Sequence, residues 1–456
     1  MPSASNGRAE GEATARTAGT ASIVDRLSLI VYDMRHGIFS LLGIVVCLSG
    51  AAPVHAQHLL APMDQAQSDH LRAYGLTYWC LQAPRGYECE WLLNYRGGSF
   101  LLPDRPEVRA RAQALNVSVE PAAAAAVQAI YRTIAEGNME RLQLTIAPRV
   151  AVYVPPDSEP WDDAVRMALD YAQIPYKTVW DREVLAGKLS ECDWLHLHHE
   201  DFTGQYGKFG ATFANQPWYR RQVLSSTRMA AELGFPGVWA LKEAVAGAIA
   251  RWVSQGGLLF AMCSAPDSLD VALAAQGMDL VPPEIDGTPA TPEAQKRLDF
   301  TRTMAFRGFK LVSDPLVTEI ADIDAQPANP ETVSRGETFE LFEFSAKEDP
   351  IATMLTQCHV NRVPDFMGLT SAFRRGALKD NVIVLGDFPG QDRVKYIHGD
   401  YGQGTYTFLG GHDPEDYAHF VGEPATDLSF HPHSPGYRLI LNNVLFPAAK
   451  TKPRKT

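Results

Sequence analysis

The sequence predicts an α/β fold: a doubly wound, mostly parallel sheet with a small N-terminal β addition and a large insertion. Three observations predict it. From Arg149 onward, short apolar runs alternate with stretches of helical periodicity, the βαβ pattern of a sheet covered on both faces. The runs themselves, such as Val150 to Val154, are apolar throughout rather than alternating, as doubly covered strands are. Finally, Gly256 to Ala265 reads as an apolar strand running into Cys263 between small residues, with a helix after it. Before it, Val245, Ile249, Trp252 and Val253 stand at helical spacing until the Gly256-Gly257 pair ends their helix.

Residues 1–56 read as a leader. The first 33 are rich in Ala, Ser, Thr, Gly and charge and are expected to be disordered. Met34-Arg35-His36 then opens a short basic region, Ile38 to Leu48 is nearly all apolar, and Val54-His55-Ala56 before Gln57 reads as a small-residue cleavage site. This predicts a secretory signal starting at Met34, cleavage near Ala56, and an exported protein, periplasmic or secreted. The apolar run is shorter than the roughly 20 residues a span needs, and no later segment is apolar for long enough.

Residues 57–120 are expected to form a small β unit with a linker. Ala73 to Trp79 and Tyr87 to Tyr95 read as strands, Arg96-Gly97-Gly98 as a turn, and Pro103 to Val117 as a connection. The main domain is expected over 121–450. It opens with an Ala-rich helix, Pro121 to Gly137, whose inward stripe is Val127, Ile130, Tyr131 and Ile134. Val150 to Val154 is a strand stopped by Pro155-Pro156, Trp161 to Gln173 a helix, and Pro175 to Trp180 and Asp193 to His198 further strands. Residues 202–237 and 276–375 break the pattern with Pro, Gly and aromatic residues and read as insertions or lids. The sheet resumes at Asn381 to Asp387, Val394 to His398 and Gly404 to Leu409.

The net charge of −12 and the lack of any basic run before Lys450 to Lys455 argue against a nucleic-acid partner. No phosphate-cradling glycine loop and no dinucleotide fingerprint occurs, so a small-molecule ligand or substrate is expected. The composition leaves the oligomeric state open. Losing Cys47 with the signal leaves Cys80, Cys89, Cys192, Cys263 and Cys358, an odd set with at least one free thiol in an oxidising compartment. Cys80 and Cys89 flank Ala83-Pro84-Arg85-Gly86 and could pair across a hairpin, which would leave Cys263 as a candidate free thiol.

Three stretches carry the chemistry. Cys263 on a strand-to-helix turn would be lifted above the sheet, its thiol near backbone N–H groups and a helix N-terminus; the alternative is a buried structural cysteine. The run Gly410-Gly411-His412-Asp413-Pro414-Glu415 follows a strand at the edge where open α/β sheets bind ligands. There His412 could serve as base to Cys263, oriented by Glu415 or Asp413; the alternative is that His412 and Asp413 cap a following helix. In the third stretch, His196 and His198 end a strand and share one face, while His199, Glu200 and Asp201 lie on the loop at the ligand-binding edge. Two imidazoles and a carboxylate would suit Zn²⁺ or Fe²⁺; the alternative is core imidazoles bonded to backbone. Phe202 to Phe213 and Trp218 to Arg221 could close over a polar or sugar-like ligand.

The strand-Cys263-helix element and the late Gly411-His412 turn resemble the class I glutamine amidotransferase-like superfamily. That resemblance implies a flavodoxin-like sheet with a Cys-His-Glu triad. Gly404 to Tyr417 and Leu439 to Leu445 are similar to its ThuA-like branch, which implies a small-ligand-binding module as an alternative to an enzyme. The resemblance covers 149–270 and 380–447. Ala261 and Ala265 stand where the amidotransferase elbow has glycines, and two residues rather than one separate His412 from Glu415. Asp69 to Gly75, Trp91 to Phe100 and Leu195 to Gly204 are also similar to exported bacterial proteins labelled asparagine synthetase B. That activity would require an N-terminal Cys nucleophile and a Ser-Gly-Gly-x-Asp-Ser loop, and neither is present. The leading expectation is an exported Cys-dependent, amidotransferase-like hydrolase using Cys263, His412 and Glu415 or Asp413 on an amide, ester or sugar-derived substrate. It needs no cofactor; a metal-assisted hydrolase with Zn²⁺ or Fe²⁺ is the further alternative.

Overall fold

Asp69 accepts the Arg72 N–H and starts a helix, His70–Leu81, where the sequence suggested a strand. All of its residues but Arg72 and Trp79 are buried, so it has no polar face and shows no helical period. Gly75 lets it press against the helix Ala164–Ala172: a Cβ there would lie 1.8 Å from the Ala172 carbonyl oxygen. The computed structural model describes residues 57–156, 158, 162–325, 337–349, 351, 360–420 and 422–449. The leader, its Met34 start, Cys358 and the terminal lysines lie outside them.

The N-terminal unit is a five-stranded antiparallel sheet running to Leu144, beyond the expected boundary near 120. Its strand order is Glu120–Ala122, His58–Ala61, Ser99–Pro103, Cys89–Leu93 and Glu140–Leu144. The helix Ala124–Glu136 covers one face, placing Val127, Ile130 and Ile134 on Leu60, Leu92 and Leu101. Trp91, Phe100 and Leu102 face the other way, into the core shared with the helix His70–Leu81. Cys80 therefore sits near a helix end and Cys89 opens a strand, rather than both flanking a hairpin. Their thiols, like those of Cys192 and Cys263, are free.

The main sheet is mixed rather than mostly parallel. Tyr176–Val179, Val150–Tyr153, Trp194–Leu197, Leu258–Met262 and Gly404–Leu409 run parallel in that order. Beyond Gly404–Leu409 the sheet turns antiparallel through Arg393–Tyr401, Ile383–Asp387, Thr338–Leu341 and Arg362–Pro364, with Phe373–Arg374 paired to Arg393–Tyr401. Connection length decides this: only Gly402 and Gln403 join the strands ending at Tyr401 and starting at Gly404, too few for the crossover a parallel pair requires. Part of the insertion at 276–375 thus extends the sheet edge.

Both faces of the parallel half are buried. Val150, Val152, Phe260 and Met262 pack on one side, and Ala151, Tyr153, Leu195, Leu197, Leu259 and Ala261 on the other. The helices Ala164–Ala172 and Pro435–Leu445 cover the first side, and Val238–Ser254 and Ala265–Ala274 the second. No helix among the described residues is long and apolar enough to cross a membrane.

Candidate metal and catalytic site

The carboxyl ends of three adjacent parallel strands, Trp194–Leu197, Leu258–Met262 and Gly404–Leu409, are laced together by main chain. Cys263 N–H donates to Gly411 O at 3.1 Å, and Ala265 N–H to His198 O at 3.0 Å. Cys263 itself has φ +54°, a left-handed conformation that a non-glycine residue holds at a cost of about 1–3 kcal/mol. Its Sγ accepts the Leu369 N–H at 3.3 Å. Burial nevertheless pushes the thiol up to about 12, outweighing the N–H groups of Leu369, Ser264 and Thr370. At neutral pH it is a thiol, not a thiolate.

His412 follows the strand Gly404–Leu409 and faces His198, with ring centroids 4.5 Å apart and planes near perpendicular. His199 stacks on the same ring at 6.0 Å. One nitrogen from each of His198, His199 and His412 falls within 4.8 Å of the others. Asp162 approaches from the loop after Val150–Tyr153, its carboxylate 3.7 Å from His199 Nε2, 3.8 Å from His412 Nε2 and 3.3 Å from His419 Nε2. His419 lies parallel to His412 at 4.5 Å, and its Nδ1 is 3.1 Å from Asp416.

Burial drives His198 well below the usual imidazole range and His412 down to about 3. Both are therefore neutral, with lone pairs available. His419 goes the other way: its hydrogen bond to Asp162, backed by Asp416, lifts it to about 9. Burial would raise Asp162, but His199, His419 and His412 together hold it below the usual carboxylate range. Both nitrogens of His198, with Nδ1 of His199 and Nδ1 of His412, are buried without a hydrogen-bond partner. Buried polar atoms rarely stay unpartnered, and three convergent imidazoles are a donor set for Zn²⁺ or Fe²⁺.

The other sequence candidates are engaged elsewhere. Glu415 pairs with His431 at 2.9 Å, not with His412. Asp413 accepts the Glu415 N–H, the Thr426 hydroxyl and the Tyr437 hydroxyl at 2.8–2.9 Å, so it pins the loop; the carboxylate beside His412 is Asp162. Among the described residues no helix follows directly for His412 and Asp413 to cap: the next are a single 3₁₀ turn, Leu428–Phe430, capped by Asp427, and the α-helix Pro435–Leu445, capped by Ser434. Asp201 accepts the Thr203 N–H and hydroxyl and the Gly207 N–H, shaping its own loop. Glu200 lies 3.9 Å from Lys242, and burial raises its carboxyl. His196 Nδ1 meets Phe260 O at 3.2 Å, leaving Nε2 3.3 Å from Asp163. Sequence reasoning missed Asp162, Asp163 and His419. The first two follow a parallel strand at the ligand-binding edge, which was signal enough to single them out.

A cavity of about 650 Å³ opens at this edge. Asp162, His199, Glu200, Lys242, Cys263, His412 and His419 line one part, and Tyr206, Phe209, Phe213, Trp218 and Phe420 another. The aromatic segments expected as a lid do border it. It is of drug-sized-ligand volume, mostly apolar with a few convergent polar groups.

No protein-family model matches this chain, and no curated protein matches it. Among solved structures it is similar to a cytoplasmic protein from Salmonella typhimurium, 12% identical, with a TM-score of 0.32 over 66% of this chain and 100% of that one. A second cytoplasmic protein, from Salmonella typhimurium LT2, is 13% identical with the same TM-score and coverage. A GH42 beta-galactosidase is 10% identical with a TM-score of 0.25, over 59% of this chain and 28% of its own. At such scores the likeness bears on neither ancestry nor activity.

Proposed function

We propose that the protein is a metal-assisted hydrolase acting on a small molecule in this cavity, with Zn²⁺ or Fe²⁺ held by His198, His199 and His412. One observation carries the reading: these three imidazoles converge with buried, unpartnered nitrogens, and two of them, His199 and His412, line the cavity. Their nitrogens lie within 4.8 Å of one another, so small side-chain shifts would bring all three onto one ion. Bound there, the ion would polarise the scissile group and acidify a coordinated water. The chain's own residues do the rest. Asp162 orients His199 and His412 from behind, protonated His419 holds a proton at the rim, and the aromatic wall excludes water. Metal analysis of the purified protein, then esterase and amidase panels with and without a chelator, test this. Metal lost in His198→Ala and His412→Ala together with activity is the expected result; a metal-free, active protein overturns it.

A second reading makes Cys263 the nucleophile and His412 its base, in keeping with the amidotransferase-like resemblance. The left-handed Cys263 at a strand-to-helix turn favours it, and so do the five parallel strands that a flavodoxin-like sheet would share. Asp162 would then orient the base. Iodoacetamide alkylation of Cys263 across pH separates the readings: an apparent pKa below about 8.5 that rises in His412→Ala supports the thiol. Either chemistry would operate outside the cytoplasm if residues 34–56 direct export.

A further inference from the structure

Asp163 does more at this site than start a helix. It is almost fully buried, and its Oδ1 accepts the Val165 and Arg166 N–H groups at 2.8 and 3.0 Å, capping the helix Ala164–Ala172. The same oxygen lies 3.9 Å from His198 Nδ1 and 3.3 Å from His196 Nε2. An N-cap needs only an acceptor, and a buried full charge is a costly way to supply one where a neutral Asn or Ser serves. Two buried imidazoles around that charge give it a second purpose.

We infer that Asp163 is a positioning residue for the metal site: its carboxylate faces Nδ1 of His198, keeps the proton there, and so turns the Nε2 lone pair toward His199 and His412. The inference rests on the metal-assisted reading. A neutral imidazole has one donor and one acceptor nitrogen, and an ionised carboxylate can only accept. At 3.9 Å the nitrogen beside Asp163 makes no hydrogen bond, but the carboxylate favours the proton on that nitrogen and leaves the other to bind. His196, whose Nδ1 meets Phe260 O at 3.2 Å, stands next to His198 with ring centroids 5.5 Å apart. Removing such a carboxylate behind a ligating histidine typically weakens metal affinity 10–100-fold.

Asparagine separates the two roles, because its carbonyl oxygen preserves the cap while the charge is lost. The full chain, stripped of metal, would be titrated with Zn²⁺ and separately with Co²⁺, whose visible absorption reports ligand geometry, alongside thermal melts. Wild type should bind one ion. Asp163→Asn should melt within about 2 °C of wild type yet bind Zn²⁺ about 10–100-fold more weakly, with an altered Co²⁺ spectrum. Asp163→Ser, also a good cap, should do the same and stands in if the asparagine variant does not fold. Wild-type affinity and spectrum in a folded variant would reduce Asp163 to a helix cap and overturn the inference while leaving the metal site in place. Wild type that binds no ion removes the metal-assisted reading itself, and this role with it.

Discussion

Replacing Gly411 with alanine should cost about 2–6 kcal/mol of stability and loosen the elbow at Cys263. Gly411 has φ +91°, and holding a non-glycine residue in such a region costs about 1–3 kcal/mol. The new Cβ would lie 2.5 Å from the Phe366 ring and 2.6 Å from its carbonyl oxygen. Relieving that overlap moves backbone, at about 1–3 kcal/mol. Gly411 O is also the acceptor for the Cys263 N–H, so the strain passes directly to the strand-to-helix turn. Urea unfolding followed by tryptophan fluorescence gives the stability, and iodoacetamide trapping at pH 8 reads the exposure of Cys263. Gly390→Ala is the control: φ is +76°, but nothing lies within 4 Å of the new Cβ, so only the conformational cost remains. If Gly411→Ala loses no more than Gly390→Ala, the close approach that carries His412 into the site is wrong.

The loop after His412 should depend on Asp413 as an acceptor. Asp413→Ala leaves the buried Tyr437 hydroxyl and two other donors unpaired and should lose about 2–4 kcal/mol in a urea melt; a loss under about 0.5 kcal/mol would contradict the role assigned to it. His419, lifted to about 9 by Asp162 and Asp416, should contribute stability that is full below its unfolded value near 6.5 and lost as pH rises through 9. The difference in urea midpoint between wild type and His419→Gln should therefore shrink from pH 6 to pH 10, and a constant difference argues against the pairing. Burial pushes Asp267 up to about 7, so its contribution is present below about pH 4 and fades as pH rises through 7. Asp267→Asn should flatten the stability profile over that window, and an unchanged slope would place the carboxyl in a wetter setting.

The parallel strands were legible because burial on both faces writes them as unbroken apolar runs, and the Cys263 turn because small residues interrupt one. The helix His70–Leu81 was not, since a helix buried all round carries no stripe, and its aromatic residues favour strands in isolation. The antiparallel half was readable as strands but not as a direction; the two-residue join at Gly402 and Gln403 held that information. His412, His198 and His199 were each visible as edge residues, but their meeting depends on the order of strands across the sheet, which local sequence does not encode. Nearness in the chain points to Glu415 or Asp413 as the partner of His412, whereas the fold supplies the carboxylate, Asp162, from a segment 250 residues earlier.

Where the strand ends meet, the cross-ties run from one peptide group to another: Cys263 to Gly411, Ala265 to His198. Such ties do not run through the side chains, although at position 263 the left-handed backbone, φ +54°, restricts which residues fit. The scaffold at this edge can therefore accept new reacting groups one position at a time without surrendering its alignment, as a socket accepts different tools. For an engineer that makes positions 198 and 412 exchangeable posts on this frame, and position 263 a post for side chains that tolerate left-handed backbone.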